Sequence, residues 1–130
     1  MKTITSLLLP VLILTGCVSA PTKSQLSHLD YGDPPKDYEM AIKHYFDGVL
    51  IDPDSAYYNF ELPRKFWYND KSFFGGKLSA GYLVRVGVNS KNKYGGYSTE
   101  ETYGFLMKGE QIVRVLDPDE MLSSDLLYGT

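Results

Sequence analysis

The chain has one cysteine and two histidines, and no apolar run long enough to cross a bilayer as a helix. One cysteine excludes an internal disulfide and a thiolate metal cluster, so stability must come from the core. The histidines, His28 and His44, form no His-Glu-x-x-His pattern, and no Gly-x-Ser-x-Gly nucleophile turn is present. The Gly-x₄-Gly-Lys-Ser/Thr order of a phosphate loop is also missing. Positive charge is scarce: 13 Lys and Arg stand against 16 Asp and Glu, a net −3. That balance lacks the basic face a nucleic-acid binder needs. Asp117, Asp119 and Glu120 lack the glycine and the spacing of a calcium loop and read as an acidic helix start. The residues thus call for no metal and no cofactor, and catalytic groups are few.

At 130 residues the length favours one domain. It begins with a positive Met1-Lys2 pair and an apolar stretch from Ile4 to Leu14, interrupted by Pro10. Small residues follow at Thr15-Gly16, and Cys17 comes next. A charged start, a short apolar centre and small residues at a cut describe a secretory signal peptide. A transmembrane helix needs about 20 apolar residues. Leu14-Thr15-Gly16-Cys17 resembles a lipobox, the processing site of bacterial lipoproteins. That resemblance implies removal of residues 1–16 and fatty acylation, palmitate included, at Cys17. Two or more acyl chains hold a protein stably on a membrane, where one holds it marginally. Val18, rather than Asp, follows the cysteine; the family's sorting rule in Gram-negative hosts then favours the outer membrane, facing either the periplasm or the exterior.

Residues 17–35 read as a lipidated tether. Ser19, Pro21, Thr22, Ser24, Gln25, Ser27, Gly32, Pro34 and Pro35 leave little to bury. Leu26, Leu29 and Tyr31 are the positions able to dock locally. Residues 36–130 then form a single α+β domain. Tyr38, Ala41, Ile42, Tyr45, Phe46, Val49 and Leu50 recur at i, i+3, i+4, i+7, i+8, i+11 and i+12, one face of an amphipathic helix. Asp37 places negative charge near its start, and Pro53 bars its continuation. Beyond it the rhythm changes to two. Tyr57 to Leu62 alternates up to Pro63. Lys77 to Asn89 is the clearest strand, with Tyr82, Val84, Val86 and Val88 on one face, Arg85, Gly87 and Asn89 on the other, and Leu83 as an apolar exception. Thr102–Met107 and Gln111–Leu116 predict a hairpin around Lys108-Gly109-Glu110. Glu120 to Tyr128 reads as a short helix or a tail. The expected fold is one amphipathic helix packed on a small antiparallel sheet of about four strands.

Two segments resemble a set of small bacterial and phage-encoded domains. The first is Asp52-Pro53-Asp54-Ser55-Ala56, following the helix. The second is Val88-Asn89-Ser90-Lys91-Asn92-Lys93-Tyr94-Gly95-Gly96-Tyr97, at the end of the long strand. The resemblance spans about Tyr38 to Val115. It departs from the pattern at Arg85-Val86, where those domains often have Cys-Gly. It implies a fold unit and brings no activity with it.

Asp52–Ala56 reads as helix termination plus a turn, with Asp54 or Ser55 bonding to backbone N–H groups; a ligand loop is the alternative. Asn92 to Ser98 reads as a turn between strands, or as an anion cradle made of backbone N–H groups with Lys91 and Lys93. Aromatics are plentiful, with 11 Tyr, 6 Phe and 1 Trp. Phe66-Trp67-Tyr68 and Phe73-Phe74 cluster between strands, where packing explains them. Tyr94 and Tyr97 flank turn residues, where packing and recognition are equally served. The candidate binding residues are therefore Arg85, Lys91, Asn92, Tyr94 and Tyr97, with Cys17 as the lipidation site. They point to a non-enzymatic module for an envelope protein or peptidoglycan. The alternative is a small cell-wall hydrolase using Glu61, Glu100 or Glu101; the last two, being adjacent, point to opposite faces of a strand. His44 and Asp47 are neighbours on the helix surface and read as a solvated pair.

Overall fold

The apolar stripe that begins at Tyr38 forms helix α2, Tyr38–Asp47, whose Ile42 and Phe46 are fully buried. In the computed structural model, residues 21–70 and 77–122 are described. Residues 1–16, read above as a signal peptide, and Cys17, Phe73 and Phe74 lie outside the described residues. The stripe predicts two further helical residues, Val49 and Leu50, that the helix does not include. After Asp47 the last turn tightens: the Gly48 and Val49 N–H groups donate to Tyr45 and Phe46. Leu50 then folds back onto the core, while Val49 is turned out to solvent at 53 % exposure.

Five strands form one antiparallel sheet: β1 Tyr57–Phe60, β2 Arg64–Asp70, β3 Lys77–Asn89, β4 Glu101–Lys108 and β5 Gln111–Leu116. The α+β class is as expected, with one strand more. That strand is β2, which carries Phe66-Trp67-Tyr68. It shows no polar alternation, because Phe66 and Trp67 are both buried although neighbours on a strand face opposite ways.

Strand β3 is long enough to hold two partners along one edge. β1 pairs with its last residues, Tyr57 opposite Asn89 and Phe60 opposite Val86. β2 pairs with its first half, Arg64 opposite Leu83 through Asp70 opposite Lys77. Between them Glu61, Leu62 and Pro63 lie opposite only Val84 and Arg85, so the edge is bulged there. Proline lacks the N–H that a ladder requires and is confined to such places. On the other edge of β3 come β4 and then β5. Gly109, at φ +55°, turns the β4–β5 hairpin, a backbone region that favours glycine.

The sheet is covered on both faces. Helix α2 lies over Val84, Val86 and Val88 of β3 and Phe105 and Met107 of β4. On the reverse face Phe66, Leu83, Leu106 and Leu116 form a second core with Tyr68 and Met121. This core explains Leu83, the apolar residue out of phase with its strand. Its cover is α3, Pro118–Leu122. Asp117 Oδ1 accepts from the Glu120 N–H at 2.8 Å, and the Glu120 carboxylate accepts from the Asp117 N–H at 3.2 Å. That reciprocal pair is a capping box, so the acids at 117–120 start a helix.

Of the segment read as a tether, residues 21–35 are described. It carries a short helix, α1, Lys23–Ser27, with a capping box between Thr22 and Gln25. From Asp30 onward the chain lies against the β4–β5 hairpin. The Gly109 N–H donates to the Asp33 carbonyl at 2.9 Å, and Asp30 pairs with Lys108 at 3.8 Å. Pro35 is buried. Glu110 accepts from the N–H groups of Lys36 and Asp37 at 2.7 and 3.0 Å, which puts its charge at the positive end of α2. Asp37 itself makes no side-chain capping bond.

Candidate binding surface at the loop end of the sheet

Strands β3 and β4 are antiparallel, so the end of β3, the start of β4 and the start of β1 share one end of the sheet. The hairpin that holds the N-terminal segment is at the other end. Eight residues of β4 separate the two ends, about 25 Å at the usual rise per strand residue.

The loop that leaves β3 is closed on itself. Lys91 and Tyr97 form an antiparallel bridge. Asn92 N–H donates to the Gly96 carbonyl, and Gly95 N–H to the Asn92 carbonyl, at 2.8 and 3.0 Å. The Asn92 side-chain oxygen accepts from the N–H groups of Tyr94 and Gly96 at 2.9 and 3.3 Å. Gly95 takes φ +80°, which only glycine adopts freely. Asn92 is therefore the organiser of the turn. The N–H groups of Asn92, Tyr94, Gly95, Gly96 and Ser98 are committed internally, so they are not free to build an anion cradle. Lys91 N–H is committed as well, to the hydroxyl of Ser55 at 2.9 Å.

Ser55 lies in the 3-10 turn Pro53–Ser55. Its hydroxyl also donates to the Asp52 carbonyl at 2.7 Å. The carbonyl of Ser55 accepts from the Tyr97 hydroxyl at 3.1 Å. The two sequence motifs thus meet at one residue. Asp52–Ala56 acts as turn and joint, with Ser55 rather than Asp54 accepting the backbone N–H.

Tyr97, fixed at its hydroxyl, packs its ring against Tyr57 with centroids 5.5 Å apart. Its pKa is raised above the usual tyrosine value, first by the hydroxyl bond with Tyr57 and then by desolvation. Tyr57 and Tyr97 are 68 % and 46 % exposed, and Tyr94 projects furthest, at 84 %. Ile51, 70 % exposed, precedes the turn. The Lys91 ammonium is 5.8 Å from the Tyr97 ring centre and the Lys93 ammonium 5.1 Å from that of Tyr94. Four of the five residues singled out from sequence therefore sit together here. Arg85 does not join them. It lies in mid-strand, four residues before Asn89, the partner of Tyr57, and pairs with Glu61 at 3.3 Å. Tyr57 was missed; its signal was parity, since odd positions of β1 face out.

No family model, no curated protein and no solved structure matches this chain. The chemistry must therefore be judged from the geometry. Glu100 rests against Gly87 on the reverse face; a Cβ there would come within 2.6 Å of its carboxyl carbon. Glu101 belongs to the helix face and accepts from the Tyr103 hydroxyl at 3.0 Å. The two neighbours are thus divided between faces, as their adjacency requires. Burial and this bond to Glu101 push the Tyr103 pKa up to about 12. His44 and Asp47 form an exposed pair at 3.8 Å. Among the described residues no group of three or more His, Cys, Asp or Glu is placed to hold a metal. No described helix is long and apolar enough to cross a membrane. A cleft of about 390 Å³ opens beside His28–Asp30, lined by Tyr68, Leu78, Ala80, Leu106 and Val113. Asp30 is the one carboxylate in its lining and is paired with Lys108.

Proposed function

We propose that this is a lipid-anchored envelope protein whose domain is a non-enzymatic binding module, recognising another envelope component through Tyr57, Tyr94 and Tyr97. The observation that carries this reading is the exposed tyrosine cluster on a loop already held by its own backbone and Asn92 hydrogen bonds. A loop held in this way has less backbone freedom to lose on binding, which favours recognition by a preformed surface. Large apolar side chains held out in water at one spot are the usual mark of an interaction site. The chain from the acylated Cys17 reaches the domain at the opposite end, so the cluster is presented away from the anchoring bilayer. The outer membrane is the favoured location, because Val18 follows the cysteine.

Site-specific photo-crosslinking in whole cells tests the reading. A photoreactive residue at position 94 gives a discrete adduct with an envelope component. The same group at position 39, on the solvent face of α2, gives none. Equal or absent labelling from both positions contradicts it.

A further inference from the structure

We infer that the tyrosine cluster takes an anionic glycan, of the carboxylate-bearing amino-sugar kind found in cell walls. The inference rests on the binding reading above and names the class of its ligand.

Three observations lead to it. The first is size. Ile51, Tyr57, Tyr94 and Tyr97 are four side chains around one loop, whereas a stable protein interface needs about 800 Å² from each partner. A surface this small suits a ligand that repeats, so that weak single contacts gain from multiplicity. The second is shape. Exposed tyrosine rings offer flat apolar faces, and the C–H faces of pyranose rings stack on such faces while the hydroxyls stay wet. Tyr97 is held for this by its bond to Ser55 and its packing on Tyr57. The adjacent Gly95 and Gly96 carry no side chain to obstruct approach, and a Cβ at either would meet nothing within 4 Å.

The third is charge. This end of the sheet carries acids, Asp52, Asp54, Glu100 and Glu101, but the loop that bears Tyr94 and Tyr97 contributes only the cations Lys91 and Lys93. Among the described residues neither ammonium has a carboxylate within ion-pair distance, unlike Lys43 and Lys108, which pair with Glu39 and Asp30. Each instead rests near a tyrosine ring. Since most of the loop's backbone donors are used internally, these two ammonium groups are its charged donors for a ligand. Ammonium groups beside stacking rings select a sugar polymer bearing carboxylates over a neutral one.

The test is co-sedimentation of the full mature chain, solubilised in detergent, with purified cell-wall sacculi. The controls are sacculi whose carboxylates have been amidated, and chitin as a neutral amino-sugar polymer. The expected result is pelleting with native sacculi, reduced about fivefold by Tyr94→Ala, the loss of one aromatic stack. Lys91→Gln with Lys93→Gln, like amidation, lowers it to the chitin level. Met40→Ala, on the exposed face of α2, leaves it unchanged. Tyr94 makes no bond through its side chain other than the Lys93 contact, so its variant keeps the parent's thermal midpoint and loss of binding is not loss of fold. Equal pelleting by all variants, or equal pelleting with chitin, overturns the proposal. No pelleting together with a discrete protein adduct from position 94 overturns the glycan assignment and keeps the binding surface. No pelleting and no adduct overturns both.

Discussion

The backbone N–H of Lys91 donates to the side-chain hydroxyl of Ser55, 36 positions earlier, at 2.9 Å. Through this bond the turn after helix α2 holds the loop after strand β3. Ser55→Ala leaves a half-buried N–H without a partner, at a cost of about 1–3 kcal/mol. Denaturant unfolding measures the loss. Amide exchange at Lys91 speeds up more than at Val84, in the centre of the same strand. An unchanged rate at Lys91 would show that the joint does not hold the loop.

The N-terminal segment is fastened at the other end by Glu110. Its carboxylate accepts two backbone N–H groups ahead of α2, in an exposed setting where water competes. Glu110→Ala is expected to lower stability by about 1 kcal/mol, and Glu110→Gln, which keeps one acceptor, by less. Limited proteolysis between Asp30 and Asp37 should accelerate in the same order. Equal cleavage of parent and both variants would mean the segment is held by something else.

Two glycines face different obstacles. A Cβ on Gly81 would lie 2.7 Å from the backbone carbonyl oxygen of Met107, which cannot yield without disturbing the ladder. A Cβ on Gly104 would lie 2.5 Å from the sulfur of Met121, the far end of a flexible side chain. Gly81→Ala is therefore expected to destabilise by about 1–3 kcal/mol, the usual cost of overpacking, and Gly104→Ala by less. Thermal melts of the two variants rank them; the reverse order would contradict this packing.

Tyr103 gives a pH dependence. Its pKa is raised from 10.0 to about 12, chiefly by burial and then by its bond to Glu101. A raised pKa means the folded chain holds the proton more tightly than the unfolded one. The stabilisation is complete below pH 10 and is lost as pH rises from 10 to about 12. Tyr103→Phe keeps the ring on Phe46, 5.1 Å between centroids, and removes this group's share of the alkaline loss. Urea unfolding of both proteins at about pH 9, below that window, and about pH 11.5, within it, shows the difference; parallel losses would contradict the assignment.

Much of the fold was legible because its elements follow simple periods. The valine alternation of β3 and the stripe of α2 each bury one face, which sequence rhythm reports directly. β2 was not legible, since both its faces are covered and no rhythm remains. Leu83 looked like an exception until the second core gave it neighbours. The end of α2 was overrun by two residues because Leu50 does reach the core, but by folding back rather than by helical phase. The candidate surface was legible in part: Tyr94 and Tyr97 flank glycines, and Asn92 suits a turn. The joint at Ser55 was not, because a contact 36 residues apart in sequence leaves no local trace. Arg85 is near the loop in sequence and shares its strand face with the position opposite Tyr57, yet it lies four residues back along β3, beside Glu61.

Acylation of Cys17 is what would hold the domain at a membrane. Mass spectrometry of the protein purified from bacterial membranes reads it directly. The expected N-terminal peptide begins at residue 17 and carries fatty acyl chains on the cysteine. A free thiol there, or a chain that still begins with Met1, would contradict the anchor and remove the setting in which the tyrosine end was given its role.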